Sequence, residues 1–149
     1  MAVNTDYLGK TYPAGEPYVV GREKIREFAR AVKAQHPSHF ELDAAEELGY
    51  RDVVAPPTFA IIVSQKAEAQ LVEDEEAGID FSRVVHADQR FTHEQPIVAG
   101  DELVAELHVD TIRPMGGGYM ITTRSEISRV DGEKVSSVVS TILVRGEDQ

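Results

Sequence analysis

The sequence has no cysteine among its 149 residues, which excludes disulfide cross-links and thiolate metal sites. Nowhere do about 18 apolar residues run together, the length that a membrane-spanning helix requires. The opening MAVNTDYLGK also lacks the basic stretch and apolar run of a secretory leader. A reducing, cytoplasmic setting away from membranes is therefore expected. Basic residues are in the minority, 15 against 26 acidic, giving a formal net charge of −11, and they form no cluster that would receive a phosphate backbone. Nucleic acid is not an expected partner. An acidic protein partner would need a local basic patch, or one supplied by a second subunit. Among the 5 histidines there is no His-x-His or His-x-x-x-His pair, so no metal is expected.

What is present divides into helical and strand-like patterns with no repeat or linker between them, so residues 1–149 read as one domain. After Gly21, REKIREFARAVKA places Ile25, Phe28, Ala29 and Val32 on one helical face with charges opposite. DAAEELGY follows as a short second helix, with Asp43 as its expected N-cap and Gly49 as its stop. PPTFAIIVSQKAEAQLVEDEEAG begins with prolines suited to a first helical turn and is apolar almost all round through Val63. A helix from Pro57 to about Val72 is expected, with its first half buried.

Beyond Gly78 the period changes. SRVVHADQRFTHE, DELVAELHVDTIRP, GGYMITTRSEISRV and KVSSVVSTILVRG read as four long strands in meander order, separated by VAGD, MGGG and DGE turns. Antiparallel strands need a cover for one apolar face, and the Pro57 helix is the most apolar one available. With an early strand near PYVV, the expectation is an α+β fold, a single hot-dog domain whose antiparallel sheet wraps around a central helix. Such a sheet leaves an open edge, so a dimer is expected.

Three stretches carry a family resemblance: GREKIREFARAVKAQHPSHFELDAAEELGY, VVAPPTFA and VVHADQRFTHEQPIVAGDEL. The chain resembles the MaoC-like, R-specific enoyl-thioester hydratases and dehydratases, and among them the accessory subunits of actinobacterial (3R)-hydroxyacyl-ACP dehydratases. Catalytic members of that family carry D-x-N-P-x-H, followed by A-H-G-M at the start of the central helix. Laid on this chain without a gap, the pattern keeps Pro37 and His39 but puts Ala34 on the aspartate and His36 on the asparagine. Ala55-Pro56-Pro57-Thr58 then falls on A-H-G-M.

The family's aspartate and histidine share the proton transfers of the reaction, and Ala34 can perform none of them. The family's glycine offers an amide N–H to the thioester oxygen, and Pro57 has no such hydrogen. The resemblance thus implies a subunit that holds an acyl-ACP or acyl-CoA substrate, without redox cofactor, while a partner subunit dehydrates the 3-hydroxyacyl thioester to the trans-2-enoyl thioester. It also implies a heterodimer with that partner. Alternatives are a self-sufficient lyase homodimer using His39 with a relocated carboxylate, Glu41 or Asp88, and a non-enzymatic acyl-thioester binding module.

His39 is accordingly the one candidate catalytic residue, either a general base or a hydrogen-bonded loop histidine. Pro57, Thr58 and Phe59 are the candidate substrate contacts, with N-capping by Thr58 and core packing by Phe59 as the plainer roles. His86, Asp88 and Arg90 alternate and would share one strand face, where Asp88 would orient His86. MGGG reads as a hairpin and EDEEAG as a solvated acidic helix end.

Overall fold

The computed structural model describes residues 2–146. Its helices are α1 (Arg22–Ala31), α2 (Leu42–Glu47) and α3 (Ala60–Val72), and its strands are β1 (Thr11–Tyr12), β2 (Tyr18–Val19), β3 (Val84–His93), β4 (Glu102–Met115), β5 (Gly118–Arg129) and β6 (Lys134–Val144). Helix α1 buries Ile25 and Ala29 as its 3.6-residue period requires. Val32 differs from expectation: it lies past the last helical turn and is 45% exposed. Asp43 also differs, because Glu41 occupies the N-cap position of α2 and Asp43 sits inside the first turn, where a carboxylate still favours the helix dipole. Gly49, at φ +91°, provides the expected stop.

The sheet is antiparallel, in the order β1-β4-β5-β6-β3, with β2 also beside β4. β1 and β2 are two fragments of one edge, pairing with Leu107–His108 and Glu102–Leu103 of β4 on either side of the Pro13 to Pro17 segment. β4, β5 and β6 form the expected meander. β3 departs from it, because the chain crosses from β3 to the opposite side of the sheet before β4 begins, leaving β3 as an edge beside β6. The β4–β5 hairpin turns at Gly116 and Gly117, whose φ values of +55° and +84° fit a turn that follows the strand twist.

Helix α3 packs against β4, β5 and β6 inside the curved sheet. This is the hot-dog α+β architecture. Ala60, Val63, Ser64, Ala67 and Leu71 make its buried stripe. One end of the core gathers Ile25, Phe59, Leu103 and Ile127, and the other Leu71, Leu107, Ile121 and Ile142. At the far end of α3 the acidic EDEEAG stretch is not simply solvated: Asp74 accepts hydrogen bonds from Tyr12 and Tyr7 at 2.9 and 3.1 Å. Those bonds, Tyr12 first, hold its carboxyl below the ordinary range. Lys10 lies over both tyrosine rings and completes the attachment of the N-terminal segment.

A buried carboxylate fixes the crossover between β3 and β4. Asp101, with 1% of its side chain exposed, accepts from Arg51 at 2.8 Å, Arg129 at 2.9 Å and the Val98 amide at 3.0 Å. Arg129 also donates to the Pro96 carbonyl at 3.0 Å. The loop is thereby tied to β5 and to the segment at Arg51, and it forms one wall of the cavity described next.

Candidate active site

Three segments meet ahead of α3. The first is a single 3₁₀ turn, Pro37–His39, entered through His36, whose Nδ1 caps the Ser38 amide at 3.1 Å. The second is Val53–Ala55, which pairs with Ile97–Ala99 through Ala55 N–H to Ile97 O at 2.8 Å and Ala99 N–H to Val53 O at 3.0 Å. The third is the end of β3 and the loop after it, His93 to Ile97. Together with Leu48 and Tyr50 they enclose a cavity of about 560 Å³.

His39 lines this cavity, and its Nδ1 lies 2.7 Å from the Val54 carbonyl oxygen. A carbonyl only accepts, so Nδ1 carries the hydrogen and the neutral ring keeps its lone pair on Nε2. This is the tautomer a general base needs. A second bond fixes the same corner, from the Val54 amide to the Ser38 carbonyl at 3.0 Å. Ala34, on the position the resemblance gives to aspartate, has no ionisable atom, and among the described residues no carboxylate is bonded to His39.

The other expected residues are distributed as follows. Pro57 lines the cavity, Thr58 lies exposed on the turn beside it, and Phe59 is fully buried against Phe28, ring centres 5.4 Å apart. Regular helix begins at Ala60 instead of Pro57, and Thr58 is not its N-cap. Glu41 and Asp88 do not line this cavity, and neither is hydrogen-bonded to His39 among the described residues. The His86, Asp88 and Arg90 arrangement also differs from expectation. The register shifts between His86 and Asp88, so the alternation breaks there; His86 contacts Gln89 at 2.9 Å while Asp88 pairs with Arg90 at 3.2 Å.

His93 and Glu94 are wall residues that the sequence reading did not select. His93 Nδ1 lies 2.8 Å from the Ser136 hydroxyl, and Glu94 lies 3.7 Å from Lys134. The signal was the run of four polar residues, Thr92 to Gln95, between the strand aromatic Phe91 and Pro96. Among the described residues no cluster of three His, Cys, Asp or Glu side chains has the geometry to hold a metal ion.

The family described as "FAS1-like, dehydratase domain region" matches residues 7–138. The chain belongs to this family. This FAS1-like dehydratase domain is MaoC-like in fold. It is 48% identical over 146 residues to a UPF0336 protein of Saccharopolyspora erythraea, covering 98% of this chain and 94% of that one. Among solved structures it is similar to a chain of the C-terminally truncated HadBC (3R-hydroxyacyl-ACP dehydratase) complex of Mycobacterium tuberculosis, with 36% identity, a TM-score of 0.85, and coverage of 93% of this chain and 98% of that one. A MaoC-like dehydratase matches at 36% identity and a TM-score of 0.86, with 95% of this chain covering 43% of that one. No helix among the described residues of the dehydratase domain is long and apolar enough to cross a membrane.

A second cavity, about 730 Å³, lies on the other flank of α3, between that helix and strands β3 and β6. Glu68 of α3 projects into it, and burial raises its carboxyl above the ordinary value, an effect that the facing Ser140 hydroxyl and His86 ring offset only in part. A carboxyl raised by folding binds its proton more tightly in the native state. It therefore supports folding below its ordinary value of 4.5 and loses that contribution as the pH rises through the native value. Glu68→Gln is expected to unfold at a higher temperature than the parent chain at pH 7, with the difference vanishing below about pH 4. Thermal melts of both chains across pH check this; a variant less stable at pH 7 would contradict it.

Proposed function

We propose that this chain is the substrate-holding subunit of a (3R)-hydroxyacyl-thioester dehydratase, in which a second hot-dog subunit supplies the catalytic aspartate and histidine. The observation that carries the reading is the incomplete cavity: a histidine fixed in the basic tautomer, with no carboxylate bonded to it and a proline in place of the amide donor. The substrate is an acyl-ACP or acyl-CoA, and no redox cofactor is required. In the paired subunit, a base removes the proton from the substrate α-carbon and an acid protonates the departing β-hydroxyl. The carbon–oxygen bond breaks, and the products are water and the trans-2-enoyl thioester.

The apolar wall of Ala55, Pro56 and Pro57 suits the thioester end of an acyl chain, and buried Phe59 braces that wall from behind. The similarity to a chain of the HadBC (3R-hydroxyacyl-ACP dehydratase) complex supports the pairing. The test is co-expression with a hot-dog subunit bearing intact D-x-N-P-x-H and H-G motifs, followed by enoyl-thioester hydration assays of each chain and of the mixture. The mixture is expected to exceed this chain alone by at least about 10⁴-fold, because both an acid–base group and an oxyanion donor are absent here. Full activity of this chain alone would overturn the proposal.

One observation favours a second reading. Glu94 shares the cavity wall with His39. A homodimer in which a substrate draws Glu94 away from Lys134 would have two titratable groups at one site, and its activity would disappear in both His39→Ala and Glu94→Gln.

A further inference from the structure

We infer that His36 joins His39 in a donor–acceptor pair that reads the 3-hydroxyl group of a bound acyl thioester, so that this chain retains 3-hydroxyacyl thioesters and releases their dehydration products. The inference rests on the acyl-thioester reading above and adds the specificity of the site. Both rings line the cavity beside Pro57, and their centres are 6.4 Å apart. The surrounding chain holds them in opposite tautomers. His36 Nδ1 accepts the Ser38 amide hydrogen at 3.1 Å, so the neutral ring carries its own hydrogen on Nε2. The Ser38 hydroxyl lies 2.9 Å from the same nitrogen, and Ser38 is buried, which keeps water from competing for that contact. His39 is the reverse, with its hydrogen on Nδ1 toward the Val54 carbonyl and its lone pair on Nε2. Among the described residues neither Nε2 has a hydrogen-bond partner.

One free nitrogen therefore donates and the other accepts. Among oxygen groups of an acyl chain, only a hydroxyl does both at once, accepting from His36 and donating to His39. The ring spacing suits a single oxygen that makes two hydrogen bonds of about 2.8 Å. A 3-oxo group only accepts and would set its lone pairs against that of His39, while a saturated or enoyl carbon makes neither bond. A thioester lying along Ala55, Pro56 and Pro57 has its third carbon two bonds from the carbonyl, in the same cavity as both rings. Reading a hydroxyl transfers no proton and builds no charge on the thioester oxygen. Alanine at position 34 and proline at position 57, which remove catalysis, leave this recognition intact.

The test is calorimetric titration of the chain by itself at about pH 8, where imidazole is neutral, with 3-hydroxyoctanoyl-CoA, 3-oxooctanoyl-CoA, octanoyl-CoA and trans-2-octenoyl-CoA. The 3-hydroxy thioester is expected to bind about tenfold more tightly than the other three, the effect of two hydrogen bonds in a cavity open to water. His36→Asn and His39→Asn each keep the inner bond, to the Ser38 amide and the Val54 carbonyl respectively, but lack the outer nitrogen. Each is expected to reduce the preference to about threefold, and the double variant to abolish it, with octanoyl-CoA bound as by the parent. Loss of octanoyl-CoA binding in both variants would mark the histidines as structural and overturn the inference. Equal binding of all four thioesters by the parent, tighter binding of the 3-oxo thioester, or a preference that survives in the double variant would overturn it while the proposed function stands. If none of the four binds, the substrate-holding reading falls together with it. If the preference is found but the mixture with a catalytic subunit performs no dehydration, the proposed function fails and the hydroxyl site stands.

Discussion

In the reconstituted pair, His39→Ala is expected to lower dehydratase turnover by less than about threefold, whereas alanine at the partner subunit's motif histidine lowers it by about 10² to 10⁴. The asymmetry follows from what each imidazole can transfer. His39 has its tautomer fixed by the Val54 carbonyl and so keeps a basic Nε2, but the position paired with it in the catalytic motif is alanine. The oxygen of a thioester placed near Nε2 would also find Pro57 where an amide is needed, so charge developing on that oxygen has no donor there. A base working on an unstabilised enolate contributes little to the rate. The measurement is steady-state turnover of the two single-variant mixtures with one enoyl thioester. Equal losses in both would mean that each subunit carries a working site.

Asp101→Ala is expected to destabilise the chain by about 3 kcal/mol, since it removes the buried carboxylate that holds Arg129 and the Val98 amide and leaves half-buried Arg129 with Glu133 as its remaining counter-charge. For a chain of this size that corresponds to a melting temperature lower by about 10 °C. The two arginines on Asp101 are not equivalent. Arg51 is 70% exposed and Arg129 only 15%, so Arg51→Ala is expected to cost less than about 1 kcal/mol. Calorimetry of both variants checks the ranking. The Asp101 variant should also release the Val98 amide to hydrogen exchange, because Asp101 Oδ2 is its acceptor at 3.0 Å. A loosened loop would let His93 and Glu94 drift from the cavity wall.

The elements legible in the sequence were those with a long, unbroken period. α1 was marked by its 3.6-residue period, α3 by apolar residues almost all round its first half, and β4, β5 and β6 by long alternating runs, and the wrapping of the sheet around α3 followed from having one apolar helix and one half-apolar sheet. What the sequence did not disclose depends on breaks in a period or on contacts between distant segments. The His86, Asp88 and Arg90 alternation looked regular, but the bulge shifts the register inside it. The position of β3 beside β6 is set by a crossover whose anchor, Asp101, bonds to Arg51 and Arg129 from two other parts of the chain. His93 and Glu94 belong to the site only because that crossover carries them to the turn at Pro37–His39. His39, Pro57, Thr58 and Phe59 were selected by motif position, and a motif gives order along the chain without giving depth. Pro57 reaches the cavity while Phe59 turns into the core.

The interrupted border formed by β1 and β2 limits how far the protein can polymerise. Each fragment is two residues long, and Pro13 and Pro17 between them supply no amide hydrogens. A strand from another molecule therefore finds no continuous template on that side, whereas β3 offers ten residues on the other. With a single adhesive border per molecule, strand-to-strand joining uses itself up after one event. Any joining through β3 would end as a closed pair, since growth into ribbons or fibres would have no second end from which to continue.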